Sequence, residues 1–378
     1  MKIAVLIRNY KRSAGGAERY CVELTERLSA NHDVHVFTQN YENNPLSKIT
    51  FHKILQLSEK PRFINQLLFS RLTKNATSGK FDIVHSHEMV SHADIYTFHV
   101  QCFRTLWSNI KGFRKLIRWL NTLLSPRKLC YLWLESQQMQ VLPRRRFISV
   151  SEYLSRNILE CYPKISNITI AHPGISTNVN KSVENNNNKF SNLKESLSIP
   201  NSSFILLFVA NNFKKKGLPK IIESLEMLSN EKLHLVIAGN GNSKKIKIPN
   251  SISSNIHYLG VIKNITLLYP QADALLHPTL ADTYGMAALE AMAAGLPVVI
   301  SNKEFCGLSE HLNENQAVLL ENPRDAIELA KKIDLLYKNT EYRDRIAKNG
   351  FEKSKTISWG NTLSKTLRVY NSIANSPR

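Results

Sequence analysis

The chain has 378 residues, 43% of them hydrophobic and 21% charged, which is typical of a globular protein long enough for two domains. No stretch approaches the roughly 18 apolar residues of a membrane-spanning helix, the apolar start is too short for a signal peptide, and five cysteines without paired or metal-ligand spacing favour the cytoplasm. The net charge of +20 predicts a phosphate-rich partner, whether a nucleic acid, an anionic membrane or a phosphorylated substrate.

The first half of the chain alternates between strand and helix patterns, which predicts a parallel doubly wound sheet. The expected elements are strands at residues 2–7, 33–39 and 81–87 and helices at 17–30 and 63–74. Gly15 and Gly16 separate the first strand from the first helix, where glycines make turns or let a ligand approach the backbone. His85 and His87 alternate along the third strand, so at most one of them is expected to face a ligand.

Residues 103–147, here called the basic segment, contain ten lysines and arginines, one acid (Glu135) and three of the four tryptophans. Apolar residues recur there at steps of four and three, a helical stripe formed by Leu106, Ile110, Phe113, Ile117, Leu120 and Leu124. Four cations lie largely off that stripe: Lys111, Arg114, Lys115 and Arg118. A basic amphipathic helix with Trp and Leu favours an anionic membrane surface. The alternative is an ordinary helix that buries its stripe in the core.

Residues 178–203 are rich in Asn and Ser and predict an inter-domain loop. Beyond it, strands are expected at 204–210, 233–239, 255–260, 273–278 and 297–301, with helices at 217–228, 267–273 and 287–295. The tail, from about residue 356, predicts one last helix.

The stretch "HPTLADTYGMAALEAMAAGLPVVIS", from His277 to Ser301, carries the clearest chemistry. A strand is followed by a turn and a helix, so a cluster of backbone N–H groups at the helix start forms an anion site: Tyr284, Gly285, Met286 and Ala287. Glu290 suits a ribose diol, and Asp282 points at whatever lies beyond the diphosphate. The alternative is that Asp282 caps the helix and Glu290 is solvated.

The same stretch resembles the acid-x7-acid signature of the retaining glycosyltransferases of family 4, which have the GT-B fold. The resemblance continues in order through "GGAERY", "VSEYL", "HPGIS", "LLFVANNFKKKG", "VIAGNG" and "IHYLGVI", and within the family it is strongest to the lipopolysaccharide core glucosyltransferase I subgroup. It implies two Rossmann-like domains that face a central cleft: an acceptor-side domain at 1–177, the linker 178–203 and a donor domain at 204–355. The last segment, 356–378, is expected to cross back to the first domain.

The resemblance also implies roles in donor binding. Lys216 matches the family lysine on the donor diphosphate, and Lys215 takes the place of a neighbouring Arg, although a short lysine run is also typical of a solvated loop. Gly15 and Gly16 match the loop whose backbone faces the diphosphate. The backbone of Val261 and Ile262 matches the segment that meets the base.

Two further residues are implied in catalysis beside Lys216. Asp282 stands where the family usually has Glu, so the side chain that contacts the sugar is one methylene shorter. His99 aligns with a family position near the reacting sugar and the acceptor, where Asp is frequent. The implied chemistry is metal-independent transfer with retention, by front-face attack in which the leaving phosphate accepts the acceptor proton. The sequence has no Asp-x-Asp metal motif, in agreement.

The expected activity is transfer of a hexose from a nucleotide sugar, expected to be a UDP sugar, to a membrane-associated glycolipid such as a lipopolysaccharide core. The enzyme is expected in the cytoplasm, on the inner face of the membrane, with no other cofactor. Nucleic-acid binding is not expected, because the chain shows no recognition module. Two alternatives remain open, a GT-B nucleotide-sugar epimerase and a catalytically silent partner subunit.

Overall fold

The computed structural model describes residues 1–42, 47–57, 60–105, 112–175, 192–241, 246–262 and 264–374. Two compact units make up the chain, one from Met1–Pro173 with Trp359–Arg378 and the other from Gly174–Ser358. Each contains a parallel sheet with helices, so the predicted α/β class with two Rossmann-like domains is confirmed.

The N-terminal unit is built on a seven-stranded parallel sheet of order β5-β3-β1-β6-β7-β8-β9. A separate pair, β2 with β4, is also parallel. The strands are β1 (Lys2–Leu6), β2 (Asn9–Tyr10), β3 (Asp33–Thr38), β4 (Asn40–Tyr41), β5 (Ile49–Lys53), β6 (Ile83–Ser86), β7 (Ile95–Phe98), β8 (Arg146–Ser149) and β9 (Ile168–Ile170). The inner strands are short and buried on both faces, as expected of a sheet covered by helices, and β6 ends in the buried polar residues His85 and Ser86.

The helices of this unit are α1 (Gly16–Leu28), α2 (Arg62–Thr77), α3 (Phe113–Leu123), α4 (Pro126–Gln138) and α5 (Glu152–Cys161). Local chemistry sets their starts: Pro126 occupies the first turn of α4, and the Ser151 side chain accepts the Leu154 N–H at the start of α5. The C-terminal helix, Trp359–Ala374, packs Trp359 and Tyr370 into the core of this unit.

The C-terminal unit has a six-stranded parallel sheet of order β12-β11-β10-β13-β14-β15. Its strands are β10 (Phe204–Val209), β11 (Leu233–Ala238), β12 (Ile256–Gly260), β13 (Ala274–His277), β14 (Val298–Ser301) and β15 (Val318–Leu320). Its α-helices are α6 (Leu193–Ser196), α7 (Leu218–Leu228), α8 (Met286–Ala293), α9 (Ala326–Lys338) and α10 (Thr340–Lys355), and short 3₁₀ helices occupy Asn250–Asn255, Ile265–Leu267, Tyr269–Gln271 and Gly307–His311. One apolar core lies on each face of this sheet.

Two sequence predictions differ from the structure. The helix expected at 267–273 is wrong: two 3₁₀ turns stand there, because Pro270 has no N–H to donate to an α-helical ladder. The expected linker lies outside the described residues at 178–191, whereas its described end is not simple loop. There, α6 buries Leu193, and Ile199 joins the same core.

Strand order places the ligand sites. In each sheet the order reverses beside the first strand of the unit, at β1/β6 and at β10/β13. Ligands of open parallel sheets bind outside the carboxyl ends of the strands at such reversal points. Among the helices of the described residues, none has the length and hydropathy needed to cross a bilayer.

Candidate active site

Lys216 and Asp282 meet at the reversal point of the C-terminal sheet. Lys216 lies in the loop after β10 and Asp282 in the loop after β13, and these two strands are hydrogen-bonded neighbours. The Lys216 ammonium donates to the Asp282 carboxylate, and both side chains are about four-fifths buried, at 20% and 16% exposure. The fold therefore joins two residues that lie far apart in the chain into one ion pair.

Asp282 is held by further donors. His277 Nε2, at the end of β13, lies 2.9 Å from Oδ2, and the Tyr284 N–H lies 3.3 Å from Oδ1. Burial alone would raise the pKa of the Asp282 carboxyl, but the Lys216 charge and the His277 hydrogen bond outweigh burial and hold this pKa well below its usual range. The carboxylate is therefore ionised, and its orientation is fixed.

Backbone hydrogen bonds join the Asp282 loop to the Lys216 loop and to the loop after β14. The Leu280 N–H donates to the Lys215 carbonyl at 2.9 Å, and the Asp282 N–H donates to the Phe305 carbonyl at 2.7 Å. Gly217, with φ +88°, lies so close to the Pro278 carbonyl that a Cβ at this position would stand 2.0 Å from the oxygen. Only glycine permits that approach, which brings the lysine loop beside the Asp282 loop.

Gly285 connects this acid to the start of α8. Its φ of +105° favours glycine, and a Cβ there would lie 2.8 Å from Cys306 Sγ. The helix then begins at Met286, followed by Ala287. Because the first N–H groups of a helix have no intrahelical acceptor, this end can receive an anion beside Lys216.

The structure answers two alternatives left open by the sequence. Asp282 does not cap α8, whose N-cap residue is Gly285 and has no side-chain cap hydrogen bond. Glu290 is not solvated, since it is only 5% exposed, and the Tyr269 hydroxyl donates to its Oε2 at 2.9 Å. Glu290 is thus a fixed acceptor, four residues beyond the first residue of α8.

The remaining donor-side residues lie on the same carboxyl edge of the sheet. Lys215 lies at the surface, but its ammonium is partly shielded from water, and this partial burial together with the Lys216 charge lowers its pKa. Val261 and Ile262 follow β12 at the sheet edge; Val261 is exposed, and Ile262 packs against the core. Lys214 is exposed.

In the N-terminal unit the predicted glycines lie at the corresponding reversal point. Gly15 is the N-cap residue of α1 and Gly16 its first residue. His99 follows β7, and its Nε2 lies 2.9 Å from Nδ1 of His87. The Tyr20 ring meets His99 edge-on, with centroids 5.0 Å apart.

Burial keeps these imidazoles neutral. It lowers the pKa of His99 to about 3 and that of His85 to about 3, and His99 adds to the effect on His85. His85 is packed rather than ligand-facing: its ring nitrogens lie 2.7 Å from the hydroxyls of Tyr370 and Thr97. At neutral pH, His99 can take part in chemistry as a neutral hydrogen-bonding group and not as a cation.

Two residues of this site were missed by the sequence reasoning. His277 orients Asp282, and Tyr269 orients Glu290. For His277 the sequence did hold a signal, namely a polar side chain at the end of an otherwise apolar strand. For Tyr269 there was no local signal, because the residue is distant from Glu290 in sequence and lies in a segment that reads as helix.

Comparison with known families gives one match in each half of the chain. Residues 14–179 match the family described as Glycosyltransferase Family 4, and residues 189–353 match the family described as Glycosyl transferases group 1. The two matches together take in most of the chain and divide it as the two units do.

Individual relatives are distant but match over long stretches. Lipopolysaccharide glucosyltransferase WaaG from Escherichia coli K12 is 23% identical over 79% of each chain. The alpha-monoglucosyldiacylglycerol synthase of Acholeplasma laidlawii is 23% identical over 94% of this chain and all of its own. A crystal structure of WaaG superposes with a TM-score of 0.77 at 20% identity, covering 99% of this chain and 100% of its own. Anabaena HepE in complex with UDP-glucose gives 0.69 at 15% identity, with 98% and 100% covered.

Proposed function

This chain is a glycosyltransferase of the GT-B type, and we propose that it transfers a hexose from a UDP sugar to a membrane-associated glycolipid with retention of anomeric configuration. The observation that carries the proposal is the Lys216–Asp282 pair beside the N-terminus of α8. This arrangement suits a sugar diphosphate, because a cation, an ionised acid and a helix N-terminus meet at one reversal point of the sheet. The diphosphate then lies on the lysine and the helix N-terminus, and the sugar lies on the acid.

Each part of a UDP sugar has a matching group in this arrangement. The diphosphate lies on the Lys216 ammonium and the first N–H groups of α8, and Glu290 accepts a ribose hydroxyl. A diphosphate competes with Asp282 for Lys216, so donor binding exchanges an internal ion pair for one with the substrate. Asp282, still held by His277, is then available to the sugar hydroxyls. The solved complexes of HepE with UDP and with UDP-glucose support the choice of a UDP sugar.

The reaction proceeds at the anomeric carbon. An acceptor hydroxyl oxygen attacks the anomeric carbon from the same face as the departing phosphate. The bond between the anomeric carbon and the phosphate oxygen breaks, and that oxygen takes the proton of the acceptor hydroxyl. Negative charge grows on the phosphate, so Lys216 and the helix N-terminus stabilise the transition state more than the ground state. Neutral His99 contributes a hydrogen bond to the acceptor side and no charge. No metal is needed in this scheme, because Lys216 and α8 supply the positive field.

The acceptor is proposed from the surface of the basic segment. In the described part of α3 and α4, large apolar side chains lie at the surface: Phe113 is 74% exposed and Leu124 is 83% exposed, with Trp119 and Trp133 also exposed. The alternative of a stripe buried in the core is therefore wrong for the described residues, whereas Leu106, Ile110 and Lys111 lie outside them. Exposed Trp, Phe and Leu within a strongly basic segment suit the headgroup boundary of an anionic membrane. We place a lipid-linked acceptor on the cytoplasmic leaflet. The names of two relatives, a lipopolysaccharide glucosyltransferase and an alpha-monoglucosyldiacylglycerol synthase, support a glycolipid acceptor.

The donor proposal is tested with a labelled-sugar transfer assay to lipid acceptors, followed by NMR of the product anomer. A product with inverted configuration would contradict the mechanism. Epimerised donor without transfer would favour the epimerase, and donor binding without turnover would favour the silent subunit.

The membrane proposal is tested by co-sedimentation with vesicles rich in phosphatidylglycerol at low and high salt. Phe113→Ser with Leu124→Ser should weaken vesicle binding by at least tenfold, because full burial of one such side chain contributes about 1.5–3 kcal/mol. Exposed Val100, outside the basic segment, supplies the control Val100→Ser. Wild-type protein that stays in the supernatant at low salt would contradict membrane docking.

A further inference from the structure

The N-terminal unit contains two cavities that the proposed reaction does not use. One, here the helix cavity, has a volume of about 550 Å³ and lies between α3, α4 and the end of α5. The other, here the loop cavity, has about 610 Å³ and lies beside residues 139–142 and 161–165. Both volumes fall within the roughly 300–1,000 Å³ of small-molecule sites. The two cavities share Arg104, Cys161 and Tyr162, so they adjoin at one point.

The cavity walls are partly open and mainly apolar, with Thr122 and Ser136 also lining the helix cavity and Gln140 the loop cavity. Trp119, Leu123, Leu129 and Leu132 line the helix cavity, and Met139, Val141, Leu142 and Ile165 line the loop cavity. Several of these side chains are largely exposed, among them Trp119 and Val141. Monomeric proteins rarely leave contiguous apolar surface open without a partner for it.

The junction between the cavities is rigidly built. The Glu135 carboxylate, only 1% exposed, accepts from the N–H groups of Phe103 and Arg104 and, at 2.7 Å, from the Tyr162 hydroxyl. The Arg104 guanidinium lies over the Tyr162 ring, 5.2 Å from its centroid. One buried acid thus fixes an exposed cation at the point where the two apolar cavities meet.

The charges at the rim favour an anion. Arg104 borders both cavities and Lys164 borders the loop cavity, while Glu160 borders the helix cavity. Among the residues that line the loop cavity no acid occurs, so the charge there is positive in the described part of the chain. A ligand with one negative group and two apolar arms matches this layout.

We propose that the two cavities hold the two acyl chains of one anionic phospholipid, with its phosphate on Arg104. The inference rests on the proposed membrane docking and adds to it a defined lipid site. The lipid is an anchor rather than the reacting acceptor.

The position of α5 places the cavities at one edge of the sheet. This helix starts at the carboxyl edge after β8 and ends at Cys161, before the start of β9. Its ten residues span about 15 Å, at 1.5 Å per residue, so the cavities lie at the opposite edge of this sheet from His99, which follows β7.

The test is calorimetric titration of the full chain with monomeric dihexanoyl phosphatidylglycerol, below its micelle concentration. Wild-type protein should bind, Arg104→Gln should weaken binding at least about tenfold, and Leu132→Trp should abolish it by filling the helix cavity. The matched control is Arg127→Gln, an exposed arginine of α4 that lines neither cavity, and it should leave affinity within about twofold. Circular dichroism checks folding, and the Arg104 variant, which changes an exposed side chain, decides the matter if Leu132→Trp does not fold.

Each outcome separates this proposal from membrane docking itself. Wild-type protein that binds anionic vesicles but not the monomeric lipid would overturn the lipid site and leave docking intact. Binding of the monomeric lipid without vesicle binding would overturn docking and leave the site. Equal affinity for inorganic phosphate and the lipid, or equal lipid affinity of wild type and Arg104→Gln, would also overturn the lipid site.

Discussion

The Lys216–Asp282 pair makes a quantitative prediction for the free enzyme. Lys216→Met removes a hydrogen bond between two charged groups, and such bonds contribute about 1.5–3 kcal/mol. Because both side chains keep some solvent contact, we expect the lower half of that range, about 2 kcal/mol. Asp282→Asn should cost a similar amount, since it leaves the Lys216 ammonium without its counterion. The double variant removes the same interaction and should also cost about 2 kcal/mol, so the coupling energy is about 2 kcal/mol.

The assay is thermal and urea unfolding of the wild type, both single variants and the double variant. In a domain of about 150–250 residues, 2 kcal/mol corresponds to a shift in Tm of about 4–8 °C. Lys214→Met, in the same loop but exposed, is the control and should change little. The folded pKa of Asp282 is depressed, so its contribution is present above the unfolded pKa of about 3.9 and is lost as the pH falls further. Single-variant effects that add within about 0.5 kcal/mol, or a coupling already lost at pH 5, would refute the reasoning.

Three further predictions follow from the same contacts. His277→Gln should lower kcat at least about tenfold with a smaller change in donor Kd, because Asp282 loses the donor that orients it; equal kcat values would contradict that role. Gly285→Ala should destabilise by about 1–3 kcal/mol, and more than Gly295→Ala, where φ is also positive but a Cβ meets open space; chemical unfolding of both variants checks the order. Burial lowers the pKa of His99 to about 3, so the free energy of unfolding should fall as the pH drops from the unfolded pKa of about 6.5 toward 3. Tm against pH should show this slope, and His99→Asn should make it shallower but not abolish it, because burial lowers the pKa of His85 as well.

The sequence predicted the class of the fold because its signals are local. Apolar strands, amphipathic helices and glycine turns recur in an order that only a parallel sheet accommodates. Strand order is not local, and it is the order β10/β13 that brings Lys216 to Asp282. The lysine loop and the acid loop were each recognised, but their direct ion pair in the free protein depends on Gly217 and the Pro278 carbonyl.

Burial was the property hardest to read from the pattern. The sequence around Glu290 is the same whether its side chain is solvated or hydrogen-bonded. Only the fold shows that Tyr269 is its hydrogen-bond donor. The stripe of the basic segment is equally ambiguous, since a helical apolar period describes a core helix and a surface helix alike. There the structure leaves Phe113 and Leu124 exposed. Pro270 is an exception, because a proline in the middle of the segment 267–273 already argues against an α-helix there.

The nucleotide-sugar site built on Lys216 and Asp282 is best tested by calorimetric titration with UDP-, GDP- and ADP-sugars. We expect selective binding of UDP sugars by the wild type and by Lys214→Met, and at least about tenfold weaker binding by Lys216→Met, because the lysine is the cation of the diphosphate site. A folded wild-type protein that binds none of the panel, or one whose affinity is unchanged by Lys216→Met, would show that these residues do not form the donor site.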